Sequence, residues 1–118
     1  MKLSLDDIKP IYIQIAEGIE DDILKDILQE EEQALSTNQF AVMYQINPAT
    51  AAKGINALVD RGILYKKRGI GMFVTTGARK QIVEERKKEF FNEYVMKMLL
   101  EAEKLGVTKD EIMQMLTK

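Results

Sequence analysis

The amino-acid sequence predicts a mainly α-helical fold with one small β-hairpin. Apolar residues recur at helical spacing in three segments before residue 62, and helical spacing resumes after residue 77. Between them, two short strand-like segments flank a turn that contains glycine. The composition of the 118 residues, 46% hydrophobic and 31% charged, is that of a globular protein rather than of a disordered chain.

Cysteine and histidine are both absent. Their absence excludes disulfides, zinc sites with Cys or His ligands, thiol nucleophiles and imidazole acid–base chemistry. We therefore expect no catalytic residues, no metal ion and no cofactor. No apolar run approaches the roughly 20 residues of a membrane span, and no leader-like segment is recognisable, so we expect a cytoplasmic protein.

The charges are sorted along the chain, although the net charge is only −2. Residues 1–32 contain ten of the nineteen acids, whereas residues 33–80 contain seven basic side chains and the single acid Asp60. Such a cluster is expected of a surface that faces nucleic-acid phosphates. A solvated basic face is the commoner explanation when charge is considered alone. The seven residues, called here the basic block, are Lys53, Arg61, Lys66, Lys67, Arg68, Arg79 and Lys80.

The first two helices are predicted from different signals. The first follows Pro10 and has an apolar stripe at four-residue spacing: Ile11, Ile15, Ile19, Ile23 and Ile27. The second is predicted to begin at a capping box over residues 36–39, in which Ser36 and Gln39 satisfy free backbone N–H groups. Its expected core side consists of Phe40, Ala41, Met43 and Tyr44.

The third helix is predicted to run from about Pro48 to Arg61, between a cap at Asn47 and a stop at Gly62. After it, residues 63–65 and 72–75 resemble strands joined by a basic turn. We therefore predict a winged helix-turn-helix domain over residues 1–77.

Residues 78–118 are predicted to form a two-helix dimerisation tail. Its first helix has about 26 residues, roughly 39 Å in length, and ends at Gly106. Thr108 and Glu111 form a second capping-box pattern that begins the last helix.

From Pro10 to Val74 the chain resembles the winged helix-turn-helix domain of the GntR family of bacterial regulators. Residues 10–15 are similar to the opening helix of that family, residues 47–58 to its recognition helix and residues 68–74 to its wing. The short two-helix tail resembles that of the YtrA subfamily. The sequence departs from the family at two places. Glu30-Glu31 replaces the usual Pro-Gly, and Asn38 stands where the family usually has an arginine that contacts DNA.

The resemblance implies a DNA-binding transcriptional regulator, usually a repressor, without enzymatic activity. In a helix-turn-helix the start of the second helix enters the major groove. We expect Thr50 and Lys53 to reach base edges or phosphates, residues 36–38 to hold the backbone, and the wing to contact phosphates or the minor groove. Because Asn38 supplies no charge, we expect altered half-site reading. The predicted DNA-binding residues are Ser36, Thr37, Asn38, Asn47, Ala49, Thr50, Lys53, Lys66, Lys67, Arg68 and Gly69.

The tail has more large apolar residues than a small domain covers, so we expect a homodimer on an inverted-repeat operator. The alternative is that this stripe folds back on its own subunit. A small-molecule effector, if the protein has one, is expected between subunits, because about 40 residues are too few for a pocket of the usual size. The predicted dimer residues are Phe90, Phe91, Tyr94, Val95, Met98, Leu99, Ala102, Ile112, Met113 and Leu116.

Two other functions are compatible with the sequence. A winged helix also serves as a protein-interaction adaptor that does not bind DNA, and the net negative charge favours that alternative. A hydrolase built on paired carboxylates is the second, but the acids run along helix faces without an accompanying base or metal triad.

Overall fold

A computed structural model describes residues 1, 3 and 8–118. It confirms the predicted fold class, with helical elements around one antiparallel hairpin. A π-helical turn, Phe91–Val95, joins the fourth and fifth helices. Within the described residues, no helix has the length and apolar character that crossing a membrane requires. The elements are α1 (Ile11–Leu24), α2 (Thr37–Tyr44), α3 (Pro48–Asp60), β1 (Leu64–Lys67), β2 (Gly71–Val74), α4 (Ala78–Phe90), α5 (Met96–Leu105) and α6 (Lys109–Leu116).

The chain divides into two compact units, Met1–Val83 and Glu84–Lys118. This division lies six residues beyond the predicted one at 77/78. The physical reason is that Ala78 and Ile82, in the first turns of α4, are buried in the core of the first unit. Apolar side chains on the start of the predicted tail are therefore part of the first unit.

The core of the first unit forms where α1 packs against α3. Ile15, Ile23, Ile55 and Leu58 are all fully buried there. Gly54 permits the close approach of the two helices, because a Cβ atom at this position would lie 2.8 Å from both the Ile15 Cγ2 atom and the Tyr12 carbonyl oxygen. A glycine inside a helix costs about 1 kcal/mol relative to alanine. Here the close packing of α1 on α3 offsets that cost.

Helix α1 ends earlier than its apolar stripe predicts. Asp26 has a φ of 59°, in the left-handed region, so the chain leaves the helical path after Leu24. Ile27 is consequently 65% exposed, and its predicted place on the buried stripe is wrong.

Helix α2 has the predicted capping box but a narrower buried face. Phe40 and Ala41 are buried, Tyr44 is half-buried, and the Phe40 and Tyr44 ring centroids lie 4.6 Å apart. Met43 was expected on this face but is 60% exposed. Its side chain projects about 100° around the helix axis from the centre of the face that the other three residues form.

Helix α3 follows the predicted pattern at both ends. The Asn47 side chain caps it and Pro48 occupies its first turn. At its other end Gly62 has a φ of 76°, and the Ile63 N–H donates to the Leu58 carbonyl at 2.9 Å. The chain therefore turns directly from α3 into β1.

The hairpin has a third, short neighbour that the sequence did not predict. Leu64 pairs with Val74 and Lys67 with Gly71 across β1 and β2. On the other edge of β2, the Ala34 N–H donates to the Met72 carbonyl at 2.9 Å, and the Glu31 N–H donates to the Val74 carbonyl at 2.7 Å. The segment before α2 is thus fixed against the wing.

Candidate nucleic-acid interface

The residues predicted to hold the DNA backbone, 36–38, lie at the start of α2, and Asn47, another predicted DNA-binding residue, lies at the start of α3. The Ser36 hydroxyl accepts from the Gln39 N–H at 3.1 Å, and the Gln39 side-chain oxygen accepts from the Ser36 N–H at 2.9 Å. The Asn47 side-chain oxygen accepts from the Ala49 N–H at 2.8 Å. Thr37 and the exposed Asn38 follow in the first turn of α2. Ser36 and Asn47 therefore act as helix caps, and a DNA contact for either of them stays a prediction.

Helix α3 brings three predicted DNA-binding residues to one face. Ala49 and Lys53 are four residues apart and Thr50 lies between them, so that their side chains project in similar directions. Ala49 and Lys53 are exposed and Thr50 is half-buried. This face offers a methyl group, a hydroxyl and an ammonium, which can contact a thymine methyl, a phosphate or a guanine edge.

The Lys53 ammonium has a neighbour that sequence reasoning missed. Its Nζ atom lies 4.0 Å from the centre of the Tyr12 ring, within the range of a cation–π contact. Tyr12 belongs to the first turn of α1 and is half-buried. The two residues are 41 positions apart, so no local sequence pattern reveals the pair, although the cation and the ring are each visible.

The wing lysines lie on opposite faces of the hairpin. Side chains alternate along a strand, so Lys66 shares a face with Leu64 while Lys67 shares the other with Tyr65. The Lys67 Nζ atom lies 4.2 Å from the Phe73 ring centre and 5.8 Å from that of Tyr65. The structure thus directs two side chains that are adjacent in the sequence to opposite faces of the hairpin.

The tip of the wing is a tight turn. Gly69 has a φ of 77°, which favours glycine, and the Ile70 N–H donates to the Lys67 carbonyl at 2.9 Å. Arg68 is exposed in this turn. The tip therefore presents a guanidinium on a fixed backbone.

The basic block divides into two groups. Arg61 forms an ion pair with Glu20 at 2.6 Å, and the side chain of Glu20 is only 5% exposed. Arg79 lies 3.9 Å from Asp26 and also donates to the Leu24 carbonyl at 3.4 Å. These two arginines are thus paired with groups of the first unit. The other five members are exposed: Lys53, Lys66, Lys67, Arg68 and Lys80.

Glu30 and Glu31, which replace the Pro-Gly of the family, bind the base of the wing. Glu31 accepts from the Thr76 hydroxyl at 2.6 Å, the Thr76 N–H at 3.1 Å and the Tyr65 hydroxyl at 2.5 Å. Glu30 accepts from the Gly77 N–H at 3.0 Å and the Arg79 N–H at 3.1 Å, next to the start of α4. We call these two residues and their bonds the acidic joint.

The hydrogen bonds of the acidic joint favour the ionised carboxylates. Backbone donation, first from Gly77 and then from Arg79, lowers the pKa of Glu30. Side-chain donation, first from Thr76 and then from Tyr65, lowers the pKa of Glu31. The bond to Glu31 in turn raises the pKa of Tyr65. These bonds fix the base of the wing and the start of α4 to the chain before α2.

The predicted dimer residues differ in exposure. Val95 and Leu99 are half-buried, and Ala102 and Ile112 are buried within the unit formed by residues 84–118, so the last two contribute little accessible surface. The remaining six are exposed: Phe90, Phe91, Tyr94, Met98, Met113 and Leu116. Sequence reasoning did not assign four further exposed apolar side chains of this unit to the surface, namely Met96, Leu100, Leu105 and Met115.

Comparisons with known proteins find similarity to transcriptional regulators, although not in every search. No protein-family model matches the chain. A solved transcriptional regulator of the GntR family from Bacteroides thetaiotaomicron is 36% identical, with a TM-score of 0.80, over 92% of this chain and 94% of that one. The transcriptional repressor YtrA of Bacillus subtilis is 27% identical over 87% of this chain and 78% of its own length. The DNA-binding domain of AraR, solved in complex with operator ORX1, is 25% identical with a TM-score of 0.56, over 64% of this chain and 93% of that one.

Proposed function

The chain belongs to the GntR family of transcriptional regulators and is YtrA-like, and we propose on this basis that it binds an inverted-repeat operator as a homodimer. The observation that carries the proposal is the outward face of α3, where Ala49, Thr50 and Lys53 project together. A helix in this position of a winged helix-turn-helix enters the major groove, where base edges are distinguishable.

The groups around α3 supply the sequence-independent part of the affinity. Arg68 at the wing tip and Lys66 on one face of the hairpin reach phosphates or the neighbouring minor groove, and Gly69 lets the backbone approach closely. Lys67 contributes its charge from the opposite face. Residues Ser36, Thr37 and Asn38 hold the phosphates beside the start of α2, while Asn47 does so at α3. Contacts of this kind set orientation rather than sequence preference.

The unit at residues 84–118 joins two copies of the chain. Phe90, Phe91 and Tyr94 expose 59%, 51% and 68% of their surface, an apolar patch larger than isolated surface residues explain. A two-fold partner that contributes the same patch covers both. By this assignment the first part of the chain binds DNA and the tail dimerises. An effector would bind between the subunits.

The regulator acts as a repressor, in keeping with the name of the YtrA relative. A two-fold protein on a promoter blocks polymerase without any covalent chemistry, so the proposal includes no enzymatic activity. It places the protein in the cytoplasm, where its DNA is.

Selection of bound sequences from a random duplex pool at two salt concentrations tests the proposal. We expect a two-fold symmetric consensus. If the five exposed members of the basic block meet phosphates, log K falls with log salt with a slope of about −4 to −5. A preparation in which these five residues are alanine serves as the control and loses most of that slope. Folded parent protein that retains no duplex at low salt, but associates with another protein independently of salt, would instead establish the adaptor function.

A further inference from the structure

We propose that Tyr12 is a positioning residue for DNA recognition, whose ring holds the Lys53 side chain against the outward face of α3. The inference rests on the proposed function, because Lys53 matters only if α3 meets DNA. It extends the site to α1, an element that no sequence motif connects with base contact.

The contact has the geometry that a cation–π interaction requires. The Lys53 Nζ atom lies 4.0 Å from the ring centre, well inside the limit of about 6 Å. Lys53 is exposed while Tyr12 is half-buried, so the ring is the fixed partner and the ammonium the mobile one. An ammonium has three N–H donors, and contact with a ring face leaves donors that point away from the ring for a base or a phosphate.

The backbone places the ring and the ammonium together. Gly54, the residue after Lys53, lets α3 approach the Tyr12 carbonyl so closely that a Cβ atom would lie 2.8 Å from its oxygen. The helix begins at Ile11, so Tyr12 is in its first turn and its position is set by the packing of α1. The packing of α1 on α3 therefore determines that this ring neighbours this lysine.

Restriction of Lys53 before binding strengthens recognition. A lysine side chain has four rotatable carbon–carbon bonds and loses much rotamer freedom when it is fixed on DNA. A side chain that the ring already restricts loses less at that step. Fixing one long side chain on binding costs up to about tenfold in affinity, so we expect its partial restriction beforehand to recover about two- to fivefold. If the ring instead withdrew the ammonium from DNA, Tyr12→Leu would tighten operator binding rather than weaken it.

The experiment is a double-mutant cycle on the full chain. Tyr12→Leu removes the ring, Tyr12→Phe retains it, and Lys53→Ala removes the cation. Dissociation constants are measured for the selected operator and for a scrambled duplex. We expect Tyr12→Leu to weaken operator binding about two- to fivefold, with a smaller effect on the scrambled duplex, and Tyr12→Phe to match the parent. In the Lys53→Ala background, Tyr12→Leu should have no further effect.

Two measurements keep this inference separate from the proposed function. In the free protein, the NMR signals of the Lys53 ε-methylene protons should be shifted upfield by the ring, and the shift should disappear in Tyr12→Leu. Equal operator binding by Tyr12→Leu, tighter binding, or an undiminished loss in the Lys53→Ala background overturns the inference while DNA binding stands. If the parent binds no duplex although the ring shift is present, the proposed function and the inference both fail.

Discussion

The two units of the chain differ in how far they bury their apolar side chains. In the unit Met1–Val83, large residues such as Ile15, Leu58 and Ile82 are fully buried. In the unit Glu84–Lys118, whose residues are all described, only Ala102 and Ile112 are buried, while Tyr94 and Leu116 expose more than two thirds of their surface. Both units begin from amphipathic helices. The difference is that the first has three helices and a hairpin to close around its core.

Because of this difference, the two units suit different kinds of partner. The first unit satisfies its apolar surface internally and exposes cations around α3 and the wing, which suits a polyanion. The second has about 35 residues, too few to enclose a core, and most of its large apolar side chains are exposed. The following four predictions test this contrast, beginning with the largest expected effect.

Phe91→Asp should convert dimers to monomers. A carboxylate in a desolvated apolar interface has no compensating partner there, so self-association should weaken on the order of a hundredfold or more. Analytical ultracentrifugation measures the dissociation constant. Asn92→Asp adds the same charge at the adjacent exposed position and should leave association within a few-fold of the parent. Dimers that persist in Phe91→Asp would place the interface elsewhere on the chain.

Arg61→Ala should destabilise the first unit by about 1–3 kcal/mol. The substitution removes the guanidinium that lies 2.6 Å from Glu20, a carboxylate with a nearly inaccessible side chain. Solvent screening at Arg61, which is 40% exposed, keeps the effect below that of a fully buried pair. Urea denaturation gives the free energy of unfolding. Lys80→Ala, from the exposed part of the basic block, is the control and should change it by less than about 0.5 kcal/mol. Similar values for both would show that the ion pair contributes nothing.

Lys53→Ala and the double variant Lys66→Ala with Lys67→Ala should separate base contact from phosphate contact. The first should cost about 1–2 kcal/mol on the operator and relax specificity at one position. The second should weaken operator and scrambled duplexes alike and reduce the salt slope by about 2. Fluorescence anisotropy over a salt series measures both effects. Unchanged binding by both variants would remove these residues from the interface.

The acidic joint should make the stability of the wing depend on pH. The folded-state pKa values of Glu30 and Glu31 are depressed, so their contribution is present above the ordinary value of about 4.5 and is lost as the pH falls through the folded value. The melting temperature of the parent should therefore fall more steeply between about pH 5 and pH 3 than that of Glu31→Gln. Glu32→Gln, at the adjacent exposed residue, should keep the parental profile. Identical profiles in all three proteins would show that these bonds do not affect unfolding.

Local signals in the sequence predicted local structure well. The capping boxes at Ser36 and Thr108 and the cap at Asn47 are as predicted, because each depends on residues two or three positions apart. The winged helix-turn-helix followed from the order of these signals. The assignments of residues to DNA and to the dimer interface stay predictions.

Most of the features that the sequence did not predict depend on distant partners or on backbone dihedral angles. The burial of Glu20 depends on Arg61, the contact of Lys53 on Tyr12, and the acidic joint on Thr76 and Tyr65. Ile27 was misplaced because periodicity alone gave no indication of the left-handed conformation of Asp26. Residues with similar local sequence patterns therefore differ in burial and in contacts, because their tertiary neighbours differ.

The π-helical turn at Phe91–Val95 has a consequence for how the second unit tolerates changes in length. Phe90, Tyr94, Met98 and Ala102 recur every four residues, whereas a regular α-helix repeats every 3.6, so each successive side chain would rotate by about 40° around the axis. A wider turn offsets part of this drift. Deletion of one residue there would leave a good helix by circular dichroism while shifting the angular phase of every later side chain. The number of residues in this segment is therefore constrained by the alignment of these side chains along one face rather than by the ability of the segment to form a helix.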